Sequence, residues 1–581
     1  MPAVCRLILT LVFTSTIAAR TARAQSVAQT ANGTPSAADI VQEGLRRQEQ
    51  RTREQQLQPA NDVLRPARSP ATDAILPVES PCFALRDIRL VGNDHRRFSW
   101  LTASAAPFLD RCVGAQGIAK IAALLDAKLI ELGYVTTKVS LPQQNLASGL
   151  LQFQLQAGRI SEIHATGSSG SSDADVAWGT WQNAFPVSRG DLLNVRDLEQ
   201  GVEQMQRLSS QHIATELQPG DRPDTSVLII QRQTGPFRDR FHGGVTVDNS
   251  GNELLGAPQF SSYLTVENLL GLNDLLSLSS SSNIERLSHA HRSQSFSVNY
   301  SIPWGYNTFT LSQGTSQFAQ TVEGTTVQFL SSGTSRNTEA KWHRIVWRTS
   351  SAKIGIYASL LLRRANSYLD DVELIVQRRR TTNVETGVTY RQLFNDSSID
   401  LELGYRRGVQ WHGAQDDLAS SGQGLPTLRP TIWLLSSSYN RNFKAFDHSM
   451  QWTAALRAQQ TTDQTLSIDQ IAIGNRFTVR GFDGKSVLLA ESGAFVRTEL
   501  STPIRWMAEV ESSVFMGLDA GRVWGPSAGN LVSQKLAGVT LGARGKWRAM
   551  QFDLALATPL YKPPGFRTSS RNLYLSATYA F

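Results

Sequence analysis

Beyond residue 25 the sequence has no run of eighteen apolar residues, so no membrane-spanning helix is expected there. Nucleotide chemistry is missing too. Gly484-Lys485-Ser486 ends like a phosphate loop, but Val479 stands where the first glycine would be required. The nine histidines supply no nucleophile–base–acid set. His289 and His291 read as sharing a strand face, with no third ligand near them, so no metal and no cofactor is expected. No dense basic helix with interleaved aromatics appears, which argues against nucleic acid as a partner. Cysteine is scarce: Cys5, Cys82 and Cys112 are the three in 581 residues.

What is present begins with a secretory pattern. Arg6 precedes a mostly apolar stretch from Leu7 to Ala19, and Ala22-Arg23-Ala24 is a small-x-small cleavage site. Residues 1–24 therefore read as a signal peptide; an uncleaved anchor is the alternative. Removal of Cys5 would leave Cys82 and Cys112 in an oxidising compartment, where a disulfide between them is the simplest account and two buried thiols the other. The net charge of +8 suits anionic lipid headgroups or an acidic partner.

Within residues 25–58, the stretch 37–58 has helical composition but a thin apolar face of Ile40, Val41, Leu45 and Leu57. Such a helix is solvated or lies in a polar channel. Pro59, Pro66, Pro70, Pro77 and Pro81 mark an extended linker over 59–81. Residues 82–158 then read as β-α-α-β-β: a strand over Phe83–Val91, helices over Ser99–Asp110 and Ala115–Leu132, and strands over Val135–Leu141 and Leu151–Leu155. The same order returns in 159–234, with helices near Asp173–Phe185 and from Val195 to Leu208.

From residue 235 to 581 helical spacing disappears. Phe552, Leu554 and Leu556 alternate with Asp553 and Ala555; at the end Leu573, Leu575, Ala577, Tyr579 and Phe581 share one face. Segments near ten residues, with Ser, Thr, Asn and Gln on the second face, fit a closed membrane barrel with a wet lumen rather than a soluble sandwich. The length leaves room for roughly 16 strands. Arg378-Arg379-Arg380 reads as exposed strand-end charge, with lipid contact as the alternative.

One stretch fits neither strand nor simple turn: Phe477-Thr478-Val479-Arg480-Gly481-Phe482-Asp483-Gly484. A second unusual stretch, Gly517-Leu518-Asp519-Ala520-Gly521, follows downstream. An arginine fork suits a carboxylate, a glycine lets backbone approach a wall, and an aromatic can pack beside both. The expectation is that Arg480 reaches Asp519 inside the barrel and pins a long loop in the pore.

Several stretches together carry a family resemblance: Pro81-Cys82-Phe83, Gly133-Tyr134-Val135-Thr136-Thr137-Lys138, Leu193-Asn194-Val195-Arg196-Asp197-Leu198-Glu199-Gln200, Val247-Asp248-Asn249-Ser250-Gly251, Val479-Arg480-Gly481-Phe482, and Arg497-Thr498-Glu499-Leu500 with Pro503. The chain resembles the outer-membrane transporters of two-partner secretion, the haemolysin secretion/activation type within the barrel-assembly superfamily. The resemblance implies a mainly β fold: a plug helix, two periplasmic POTRA modules at 82–158 and 159–234, and a 16-stranded transmembrane barrel. It implies a bacterial outer-membrane pore, not an enzyme, that moves an unfolded exoprotein to the surface. Implied partners are that cargo, outer-membrane lipid, and periplasmic chaperones with the barrel-assembly machinery during biogenesis. Val479, Arg480, Gly481 and Phe482 would form the loop tip, Asp519 and Gly521 its wall partner, and Phe581 the insertion signal. The family's wall motif is often Phe-x-Asp-x-Gly; here Gly517 takes the first position. The other reading is an assembly factor that inserts barrels; two modules and a Gln-rich N-terminal helix argue against it.

Overall fold

The computed structural model describes residues 63–65, 76–167, 179–251, 255–285, 287–323, 328–417, 426–507 and 509–581. The signal stretch and the helix expected at 37–58 lie outside them. None of the described helices is long and apolar enough to cross a membrane.

The first module packs helices Trp100–Ala105 and Ala115–Glu131 on a three-stranded sheet of Asp87–Val91, Leu150–Gln156 and Lys138–Ser140. Ile118, Ile121, Leu125 and Leu129 recur at helical spacing and fill its core with Leu151, Phe153 and Leu155. The helix ends at Gly133, whose φ of 95° is costly for any residue with a Cβ. Three expectations are corrected here. The strand placed over Phe83–Val91 is two, Phe83–Ala84 and Asp87–Val91. The strand placed over Val135–Leu141 is only Lys138–Ser140, because turns occupy the residues just after Gly133. The first helix stops at Ala105 and tightens into a 3-10 turn at Ala106–Phe108, where Pro107 supplies no amide hydrogen.

The second module repeats the sheet order with Arg159–Thr166, Thr225–Thr234 and Gln211–Pro219. Its helix Val195–Gln206 is capped by Asn194, whose side chain accepts from the Arg196 amide. Of the helix expected near Asp173–Phe185, the described residues 179–185 form a turn.

The rest is a closed antiparallel barrel from Phe241–Asp248 to Asn572–Ala580. Sixteen long strands form the wall; the two-residue strand Val372–Glu373 only folds back on its neighbour within a hairpin. The strands run from 8 to 21 residues, so many exceed the expected ten. Alternation sets the wall's two faces. Phe552, Leu554 and Leu556 point out and are exposed, whereas Ala555 and Ala557 point in and are buried. The seam is short: Asp248 to Gly244 pair with Ser576 to Ala580. Phe581 extends it, exchanging two backbone bonds of 2.9 Å with Gly243.

The second module sits on one rim. Glu267 accepts from the Ser209 and Ser210 amides at 3.0 and 2.8 Å. Gln204 donates to the Gly305 carbonyl at 3.0 Å. Glu203 receives Arg348 at 2.7 Å and Lys353 at 2.6 Å. These contacts mark the turns near 268–274, 305 and 350 as the rim that carries the modules, the periplasmic one on the resemblance stated above. The linker is fixed here too: Val63 packs on the second module's core and the Arg65 amide donates to the Ser350 carbonyl at 2.7 Å.

Candidate functional site

The chain between strands His448–Gln460 and Ser492–Met507 leaves the far rim and turns into the lumen. Short strands Ile471–Ile473 and Leu488–Ala490 pair inside it and bring the loop tip against the wall strands that follow it, Ser492–Met507, Val510–Trp524 and Lys535–Trp547. Ile473, Val479, Phe482 and Leu488 from the loop cluster with Phe495, Val523 and Leu536 from the wall. A small apolar core thus forms inside a polar pore, and its burial holds the tip in place.

Arg480 is the polar centre. Its Nε donates to Asp519 Oδ2 at 2.7 Å and its Nη2 to Asp519 Oδ1 at 2.8 Å, a two-pronged grip. Its backbone amide donates to the same carboxylate at 2.9 Å. Nη1 donates to Glu499 at 2.8 Å and Nη2 to the Thr498 carbonyl at 2.9 Å. Arg480 is 5% exposed and Asp519 1%, so little solvent screens the pair. Glu499 also accepts from Arg544, which reaches Asp553 at 2.8 Å. The charges therefore alternate Asp519, Arg480, Glu499, Arg544, Asp553 along the wall.

Glycines give the tip its room. Gly481 adopts φ 113°, and a Cβ there would lie 2.7 Å from the Thr558 carbonyl oxygen. A Cβ on Gly538 would meet the Arg480 carbonyl oxygen at 1.8 Å. Gly521 lies under Val479, 3.0 Å from a would-be Cβ. Phe482 is fully buried edge-on to Phe566, with centroids 5.6 Å apart. Tyr574 receives the Gly481 amide at 3.1 Å and donates to the Phe482 carbonyl at 2.8 Å. Asn572 donates to the Gly481 carbonyl at 2.6 Å.

Gly517 acquires a physical reason. A Cβ there would stand 2.2 Å from Arg480 Nη2, so the guanidinium occupies what a side chain would fill. The aromatic lies two residues earlier on the same face: Phe515 is buried beneath Arg544, 3.9 Å from the guanidinium carbon to the ring centroid.

Other residues singled out from sequence are placed as follows. Cys82 and Cys112 form a disulfide that joins the start of the first module to the segment before its long helix. The ring of Phe581 lies against Gly243 at the seam. His289 and His291 sit in a turn rather than on a strand face, and no group of metal-ligating side chains occurs among the described residues. Asn249 accepts from the Leu575 amide at 2.9 Å and from Arg476 at 3.2 Å, linking seam and pore loop.

Arg544, Asp553, Tyr574, Asn572 and Gly538 were not singled out from sequence. Glu499 entered only as part of a pattern. Strand parity was the available signal, since Asp553 alternates with outward Phe552 and Leu554 and so faces the lumen. A second tether was also missed: Arg363 of the wall grips Asp469 at the base of the loop at 2.8 Å.

The comparisons agree with this architecture. The family described as haemolysin secretion/activation protein ShlB/FhaC/HecB matches residues 224–545. POTRA domains match 160–219 and, as the ShlB type, 83–158. The outer membrane transporter CdiB-2 of Burkholderia pseudomallei is 32% identical over 540 residues, covering 90% of this chain and 89% of its own. The hemolysin transporter protein ShlB of Serratia marcescens is 22% identical over 491 residues, 84% of each. The solved structure of CdiB from Escherichia coli superposes with a TM-score of 0.80 at 25% identity, covering 95% of this chain and 100% of that one.

Proposed function

This chain belongs to the haemolysin secretion/activation family, outer-membrane transporters of two-partner secretion, and on that premise we propose how it moves its cargo. The cargo is a large exoprotein of the kind the hemolysin transporters carry, taken unfolded from the periplasm. Capture is by strand addition. Among the described residues, Gln211–Pro219 is an edge strand of the second module, already bonded at the Gln211 amide and the Ile213 carbonyl, and the backbone beyond Ile213 suits an extended client of loose sequence. The loop tip at Val479, Arg480, Gly481 and Phe482 is a pore anchor, with Asp519 and Gly521 as its seat. Residues 37–58, of helical composition, act as a plug. Export is driven by folding of the cargo outside.

The observation that carries the reading is the Arg480–Asp519 pair, which holds the loop where exported chain must pass. Losing one member of a buried pair costs about 3–5 kcal/mol. Singly, Arg480→Asp and Asp519→Arg should each abolish export. The double exchange should restore it only weakly, because Asp at position 480 would face Glu499. Adding Glu499→Gln should improve the rescue. Cargo in the medium is the readout, with folded barrel in the membrane as the control. Normal export by both single variants would refute the anchor.

A further inference from the structure

Three arginines stand side by side on the outer wall. In the backbone register Arg336 pairs directly with Arg364, and Arg364 with Arg380. All three are exposed. Their direction follows from parity. Arg363 points into the lumen, where it holds Asp469, so Arg364 points out. Glu385 points inward to Arg406, so Arg380, an odd number of residues away, points out. Of the run Arg378-Arg379-Arg380, only the last joins this row: Arg378 is bound by Glu373, and Arg379 donates to the Val376 carbonyl. Among the described residues none of the three row side chains is in a salt bridge, although the charge of Arg380 acts on Glu373, which Arg378 grips.

The height of the row is set by the strand below it. Ile354, Ile356, Ala358, Leu360 and Leu362 face outward in succession, and Arg364 is next. Ile354 is in register with Trp347 on one side and Tyr390 on the other, an aromatic row near the periplasmic rim. Ten residues at about 3.3 Å each, tilted by roughly 40°, rise about 25 Å, the height of the apolar band of an outer-membrane barrel. The arginines therefore meet the membrane where its outer headgroups begin. Like charges placed directly opposite on neighbouring strands repel, so the row is unfavourable without an anion. Guanidinium forks bind phosphate in two-pronged fashion.

We propose that Arg336, Arg364 and Arg380 form a binding site for the phosphate groups of the glycolipid in the outer leaflet of the outer membrane. The apolar strip beneath them carries its acyl chains. The site fixes the depth of this sector of the barrel and is separate from the pore.

The test uses the full chain, purified in detergent and freed of glycolipid, titrated with diphosphoryl lipid A and followed by native mass spectrometry. Wild-type protein should bind it, and should bind lipid A stripped of both phosphates about tenfold more weakly. R336Q/R364Q/R380Q should lose affinity by a similar factor, whereas R96Q/R97Q/R111Q, with the same charge loss on the first module, should not. Inorganic phosphate should fail to compete. Equal binding of both lipids by wild-type protein overturns the proposal, and needs no variant to fold. So does an equal loss in the two triple variants, or full competition by inorganic phosphate, which would indicate a free-anion site.

Discussion

At the scale of single residues, the proposed pore anchor depends as much on absent side chains as on charges. The tip lies so close to the wall that Gly538 has no space for a methyl group, while Gly545 on the same strand has its nearest neighbour at 3.5 Å. Gly538→Ala should therefore dislodge the tip and raise resting conductance in planar bilayers, and Gly545→Ala should leave it unchanged. Arg480→Lys keeps the charge but loses the fork. It should retain only part of the export that wild type supports, measured as cargo in the medium. Sequence carried the main pair, because an arginine among glycines in a β region has few uses. It did not carry Gly538 or Tyr574. Their roles come from proximity across strands joined only by barrel closure, and no local pattern marks that.

At the scale of elements, the second module's helix Val195–Gln206 is the main joint with the barrel. Glu203 meets both Arg348 and Lys353 there. Glu203→Arg should set three cations together and undock the module, seen as faster proteolysis between residues 234 and 241. Asp197 on the same helix is held above its ordinary value, first by burial; the Tyr306 hydroxyl that donates to it pulls the other way. A carboxyl raised on folding adds stability below its unfolded value of 3.8, and that stability is lost as pH rises through the folded value. At neutral pH the ionised group is thus a cost. Asp197→Asn should raise the melting temperature of the full chain at pH 7, and the gain should shrink as pH falls toward 4. The long helices and outward barrel faces were legible from apolar spacing. The strand ends around Gly133 and the turn at 179–185 were not, since apolar residues there serve turns as well as strands.

At the scale of the whole molecule, two closures are proposed, one at the lumen loop and one at residues 37–58. Deleting residues 37–58 should raise resting conductance while leaving the Arg480 clamp in place. If conductance is unchanged, the segment is no plug. The linker adds a constraint on how that plug would work. Residues 63–65 are stitched between the second module and the barrel turn at Ser350, so whatever precedes them is leashed to the pore entrance. A withdrawn stopper on such a leash stays at high effective concentration beside its own orifice. Resealing after each passage is then a first-order event, indifferent to how many copies the membrane holds.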